Sequence, residues 1–228
     1  MPTTQQYVMS TLYSHNIWEG VVPSEVSDEF DGWNGIHQSM KDMAVLSGRA
    51  AMTAGMKTIV VDVGVWKGQS TIYLAKALQS AGIDGCVIAV DTFLGSLEHW
   101  NNPACPLDRV HGHPELYKQF LSNVLRAGVQ DFVVPIPQTS VTAAAIMRRY
   151  NITASMVHID AAHEYADVLR DAQEYWPLIQ PGGWLVGDDY DPYWAGVVKA
   201  ANEFSQSVNL PLQIDYPKWI LHKDPEGK

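Results

Sequence analysis

The chain holds only two cysteines in 228 residues, Cys86 and Cys105. Two are too few for a disulfide framework, which argues against a small secreted scaffold and for a reducing cytoplasm. No apolar run approaches the ~18 residues of a membrane span. The opening MPTTQQYVMSTLY has neither the basic start nor the apolar stretch of a secretory leader. Basic residues are scarce as well, with 15 Lys+Arg against 25 Asp+Glu and a formal charge of -10. A surface of that sign repels phosphate backbones, so nucleic acid is not expected as a partner. Internal repeats, low-complexity blocks and interdomain linkers are also absent.

What is present reads as one globular α/β domain, with 46% hydrophobic and 18% charged residues. The pattern divides into a leading cover segment, 1–50, and a domain, 51–228. The cover segment shows one helix-like run from about Trp33 to Ala50, with Ile36, Met40, Met43, Ala44 and Leu46 on one side. It reads as a packing helix or as a lid over a ligand cleft.

Lys57 to Val63 is β-branched and predicts a first central strand, followed by the turn Gly64-Val65-Trp66-Lys67-Gly68-Gln69-Ser70 and a helix from Gln69 to Ser80. Helix N-termini at such turns favour carboxylates and phosphates. The glycine spacing is G-x-x-x-G and lacks the third glycine of dinucleotide binders. Cys86 to Val90 predicts a second strand ending at Asp91, a carboxylate suited to accept both hydroxyl protons of a ribose. Thr92 to Pro114 reads as a long functional loop. Its His99, His111 and His113 lack the regular partners of a zinc site.

A helix over Leu116–Ala127, a strand over Phe132–Ile136 and a helix over Thr139–Tyr150 follow, placing Gln138, Thr139 and Ser140 at the same binding edge. Met156 to Ile159 is a buried strand that stops at Asp160, and a helix runs from Glu164 to Trp176. Trp184 to Gly187 is a strand that stops at Asp188-Asp189. Strand, helix and strand form a right-handed βαβ unit, so both acidic ends emerge at the carboxyl edge of one sheet, where open α/β sheets bind ligands. Asp160, Asp188 and Asp189 form an oxygen-rich set suited to a hard divalent cation, with His163 left to act as a base. The bland alternative is that Asp160 caps a helix, Asp188 and Asp189 are solvated loop acids, and His163 is an ordinary first-turn residue. A last helix is predicted from Tyr193 to Gln206, then an antiparallel hairpin of Pro211–Asp215 and Lys218–Leu221, and a frayed DPEGK tail.

This order of signals resembles the class I S-adenosylmethionine-dependent methyltransferases, whose sheet has seven mostly parallel strands and a closing β-hairpin. GVWKGQS, AVDTFLGSLEHW and above all HIDAAHEY...WPLIQPGGWLVGDDY are similar to the branch of macrocin and mycinamicin sugar O-methyltransferases and cephalosporin-hydroxylase-like proteins. The resemblance covers Lys57 to Tyr193. It implies adenosylmethionine at Asp62, Gly64, Val65, Trp66, Gly68 and Ser70, with Asp91 as the ribose acid and Thr92, Ser140 and Asp160 beside it. It further implies Mg²⁺ on Asp160, Asp188 and Asp189, and His163 as the catalytic base. The implied activity is O-methylation of a small hydroxylated molecule, a sugar or a catechol-like diol of natural-product type. Val65-Trp66-Lys67 departs from the small residues common in that turn. Two rival readings stay open: a nicotinamide-dependent Rossmann oxidoreductase, which lacks its fingerprint here, and a non-catalytic partner protein with the same fold. The sequence leaves a homo-oligomer open.

Overall fold

The structure is a computed structural model that describes residues 1–23, 38–101 and 107–224. Trp33, Ile36, Cys105 and the last four residues of the tail lie outside that set. In chain order the elements are helices α1 (Thr4–Leu12) and α2 (Gln38–Thr53), strand β1 (Thr58–Val63), α3 (Gln69–Ser80) and β2 (Gly85–Asp91). Then come the short α4 (Leu97–Asn101), the two-residue strands β3 (Arg109–Val110) and β4 (His113–Pro114), α5 (Leu116–Ala127) and β5 (Val133–Pro137). The chain ends with α6 (Ser140–Arg149), β6 (Ala154–Ile159), α7 (Tyr165–Tyr175), β7 (Ile179–Gly187), α8 (Ala195–Ser207), β8 (Gln213–Asp215) and β9 (Lys218–His222).

Seven strands form one sheet in the order β5-β2-β1-β6-β7-β9-β8, and β3 pairs only with β4. The first five are parallel, while β9 runs antiparallel to β7 and β8. This is the expected Rossmann-like sheet with its C-terminal hairpin. Every residue of β1 and β6 is buried, so helices cover both faces, and the continuous Val/Ile runs of these strands follow from that double burial. The chain steps outward from β1 to β2 and β5, then returns to β6 on the other side of β1. That reversal parts the crossover connections above β1 and β6 and opens a cleft beyond their carboxyl ends.

Three elements differ locally from the sequence pattern. Helix α1 has few apolar residues and no strong period, yet it forms because Thr3 and Gln6 build a reciprocal capping box. It packs on β2 and β5, and its Val8 and Met9 join the same core as α2. Strand β7 begins at Ile179 and runs through Pro181-Gly182-Gly183 with a register shift between Ala154 and Met156, where the sequence pattern starts it at Trp184. The 92–114 stretch, read as irregular, contains α4 and the β3–β4 ribbon among its described residues.

Candidate active site

The turn after β1 is shaped by two glycines. Gly64 has φ +86°, and a Cβ there would lie 1.9 Å from the Asp160 carbonyl oxygen, so β1 and β6 meet at a contact only glycine permits. Gly68 has φ +97° and stands at the N-cap of α3, donating its N–H to the Val65 carbonyl at 2.7 Å. Between them Trp66 also takes a positive φ, of 50°. Its N–H reaches Asp91 Oδ2 at 3.0 Å, and the Phe93 N–H reaches Asp91 Oδ1 at 2.7 Å. Asp91 is thus aimed by the backbone of its own loop and of the neighbouring turn, with a second lone pair on each oxygen. Burial pushes the Asp91 carboxyl upward, and the amides of Phe93, Trp66 and Val65 pull it back. The Trp66 and His99 rings stack with centroids 3.9 Å apart, which lays an aromatic wall beside Asp91.

At the end of β6 the Asp160 N–H bonds the Val63 carbonyl at 2.8 Å, and the Asp188 N–H bonds the Ile159 carbonyl at 2.9 Å. The sheet ladder therefore continues one residue past each strand and fixes where the acids emerge. Asp189 has φ 61°, and its N–H is held by Asp188 Oδ1 at 2.8 Å, which turns its side chain toward His163. His163 Nε2 and Asp189 Oδ2 lie 2.9 Å apart, and the His163 ring stacks on Trp194 with centroids at 4.0 Å. Helix α8 comes close enough for this because Gly196 sits against the His163 carbonyl, 2.6 Å from where a Cβ would be.

Asp160, His163 and Asp189 each offer one ligand atom, and these atoms lie within 4.8 Å of one another. That grouping differs from the expected donor set of Asp160, Asp188 and Asp189. Asp188 is buried and engaged by the Lys218 ammonium, which reaches in from β9. The Asp160 carboxyl is pushed up to about 7, chiefly by burial and then by the carboxylates of Asp188 and Asp189, against the opposing pull of His158 and Lys218. Acidic charge here exceeds the cationic charge that faces it. Two carboxylates and an imidazole suit a divalent cation of the Mg²⁺ to Mn²⁺ type, and the unbalanced charge fits one.

These two constellations share one cavity of about 1020 Å³. Of the residues singled out in the sequence, Gly64, Val65, Trp66, Ser70, Asp91, Thr92, Ser140, Asp160, His163, Asp188 and Asp189 all line it. Asp62 and Gly68 do not, because they sit beneath the turn and hold its shape. The sequence reading missed Lys218, His158, Trp194 and Met40, which line the same cavity. His158 carried a signal, since a histidine in an otherwise apolar buried strand needs a polar partner. Lys218 carried none, because only the hairpin's return places it beside Asp188.

Residues 61–190, more than half of the chain, match the family described as a methyltransferase domain. No curated protein matches the chain. Among solved structures, the O-methyltransferase NovP is similar at 17% identity with a TM-score of 0.60, over 81% of this chain and 79% of its own. TomG of Streptomyces achromogenes, an O-methyltransferase of tomaymycin synthesis solved with S-adenosylmethionine, aligns at 15% identity and a TM-score of 0.56, over 83% and 81%. CalS11, a TDP-rhamnose 3'-O-methyltransferase of calicheamicin biosynthesis, aligns at 16% identity and a TM-score of 0.54, over 82% and 81%. At these identities the likeness shows the fold.

Proposed function

Since the chain belongs to the methyltransferase-domain family, we propose that it is an S-adenosylmethionine-dependent O-methyltransferase that acts, with a divalent cation, on a hydroxyl of a small sugar-like or diol-bearing molecule. The observation that carries this reading is the shared cavity. One end offers the Gly64–Ser70 turn with Asp91, and the other offers Asp160, His163 and Asp189. A nicotinamide enzyme has a use for the first end and none for the second. When bound, adenosylmethionine would supply a methyl group on a positively charged sulfur, and a cation would lower the pKa of the acceptor hydroxyl.

The protein's own contribution is placement and proton transfer. Asp91, braced by the Trp66 and Phe93 amides, accepts from the ribose hydroxyls. The Gly64–Ser70 turn would hold the methionine arm of adenosylmethionine close to the backbone, in the same cavity as Asp160 at the end of β6. Asp160 and Asp189 would hold the cation, and the stacked Trp194 ring fixes the His163 plane. His163 takes the acceptor's proton at its ring nitrogen, and alignment of acceptor oxygen, methyl and sulfur supplies the rest of the rate.

A second role for His163 is favoured by one observation: it stands inside the group of ligand atoms with Asp160 and Asp189. In that role it binds the cation and the proton leaves to solvent. The function as a whole is tested by mass-spectrometric screening for a +CH₂ product from adenosylmethionine, a divalent cation and a panel of glycosides and catechols. A protein that binds adenosylhomocysteine but methylates no hydroxyl in a broad panel would leave the non-catalytic reading standing.

A further inference from the structure

Strand β9 lays Trp219 against Gly187 of β7, its register partner. A Cβ at Gly187 would lie 1.9 Å from Trp219 Cε2 and 2.1 Å from its Nε1, so the indole fills the space of the missing side chain, just before Asp188. Trp219 is 1% exposed, and its indole N–H is buried with no acceptor among the described residues. An indole N–H can only donate, and buried polar atoms are rarely left unsatisfied. Beside it, behind the acidic end of the large cavity, lies a small chamber of about 10 Å³, lined by Ile159, Val168 and Val197 together with Trp219, Asp160 and Asp189. That is room for one water and for nothing larger.

The three acids at this end differ in what they already hold. Asp188 takes the Asp189 N–H and the Lys218 ammonium, and Asp189 pairs with His163. The Asp160 carboxyl accepts no hydrogen bond from any described residue. An unpaired donor and an unpaired acceptor therefore line one chamber the size of a water. We propose that the chamber binds a single structural water that accepts from Trp219 Nε1 and donates to the Asp160 carboxyl, which makes Trp219 a positioning residue for the acidic end. Water fits because it accepts and donates at once, whereas a cation offers nothing to an N–H and an anion would add charge beside three acids. A bridge of this kind is nearly as favourable as a direct hydrogen bond. A carboxylate has two oxygens, so holding one from behind leaves the other for the large cavity and the cation proposed there. The water does not rest on the cation reading above, while its effect on cation affinity does.

Rotating-frame NOE spectra of the wild-type chain without metal test the bridge. The Trp219 indole proton, assigned through its neighbours on β9, is expected to show a direct cross-peak to water, opposite in sign to a chemical-exchange peak. No cross-peak, or an exchange peak alone, overturns the proposal. Trp219→Phe keeps a ring over Gly187 and removes the N–H. In that variant the Mn²⁺ affinity measured by titration is expected to fall about tenfold, with adenosylhomocysteine affinity unchanged. A folded Trp219→Phe that binds Mn²⁺ as tightly as the wild type overturns the positioning role, and equal losses on Mn²⁺ and adenosylhomocysteine overturn it as a general loss of packing. A wild type that takes up no Mn²⁺ removes the cation reading and the positioning role with it. The water bridge is then decided by the wild-type spectrum, which needs no variant to fold.

Discussion

At the scale of single residues, the site is decided by which groups each carboxylate already holds. Asp91 is held by backbone amides, those of Trp66 and Phe93 among them, before any ligand arrives, so its removal would delete both the proposed ribose acceptor and a brace for Trp66. Asp91→Ala should weaken adenosylhomocysteine binding by about 1–3 kcal/mol, and an unchanged calorimetric affinity in the folded variant would remove the ribose role. His163 separates its two roles by one substitution. If it is the base, His163→Ala loses about 10²–10⁴-fold in kcat with cation affinity intact. If it is a ligand, cation affinity measured by titration falls together with turnover. Lys218 pairs with Asp188 and so competes for it with any cation at the proposed site. Lys218→Met leaves a buried carboxylate unpaired, which should cost the metal-free protein about 3–5 kcal/mol in denaturant unfolding. It should also tighten cation binding, because Asp188 is then free to join Asp160 and Asp189. Weaker cation binding in that variant would mean that Lys218 shapes the site in some other way.

At the scale of elements, the junction of β1 with the loop after β6 leaves no room for a methyl group. Gly64→Ala places a Cβ against the Asp160 backbone and forces a positive φ on alanine. It should destabilise the fold by about 1–3 kcal/mol from conformation alone, with the clash added, and circular dichroism melts against the wild type measure it. The strands and most helices were legible because the physics that forms them is local. Parallel strands buried on both faces read as Val/Ile runs, Gly128 in the left-handed conformation ends α5, and Thr139 caps α6 through the Thr142 amide. Helix α1 has too short an apolar pattern to show a period, and only the Thr3–Gln6 capping box marks it in the sequence. The site was legible down to its strand ends for the same local reason: Asp91, Asp160 and Asp188 each stand where an apolar run stops. The Asp62–His158 and Asp188–Lys218 pairs were not, since they depend on which strands become neighbours. Nothing near Lys218 says that β9 will lie beside β7.

At the scale of the whole molecule, the acids of the cavity set the pH response. Burial holds Asp160 at about 7 and Asp171, which also lines the cavity, at about 6, both above the ordinary carboxylate value of 3.8. For Asp171 the Ser140 hydrogen bond opposes burial without cancelling it. A carboxyl raised on folding binds its proton more tightly in the folded chain than in the unfolded one. Its stabilising contribution is therefore complete below the ordinary carboxylate range and is lost as pH rises through the folded value. The metal-free protein should accordingly lose stability from about pH 4 to about pH 7, through both acids until about pH 6 and through Asp160 alone from there to about pH 7, and a formal charge of -10 adds repulsion in the same direction. Each kcal/mol lost lowers the melting temperature by about 2–4 °C in a domain of this size. A divalent cation at the proposed site would favour ionised Asp160 and leave Asp171 alone, so saturating Mg²⁺ or Mn²⁺ should remove the decline between about pH 6 and 7 and make it shallower below pH 6. Melting curves of chelator-treated protein at half-unit pH steps, with and without the ion, separate the two contributions. A metal-free profile that stays flat from pH 6 to 8 would show that Asp160 is already ionised there, held by Lys218 and His158, and that the acidic end of the cavity has no unbalanced charge for a cation to answer.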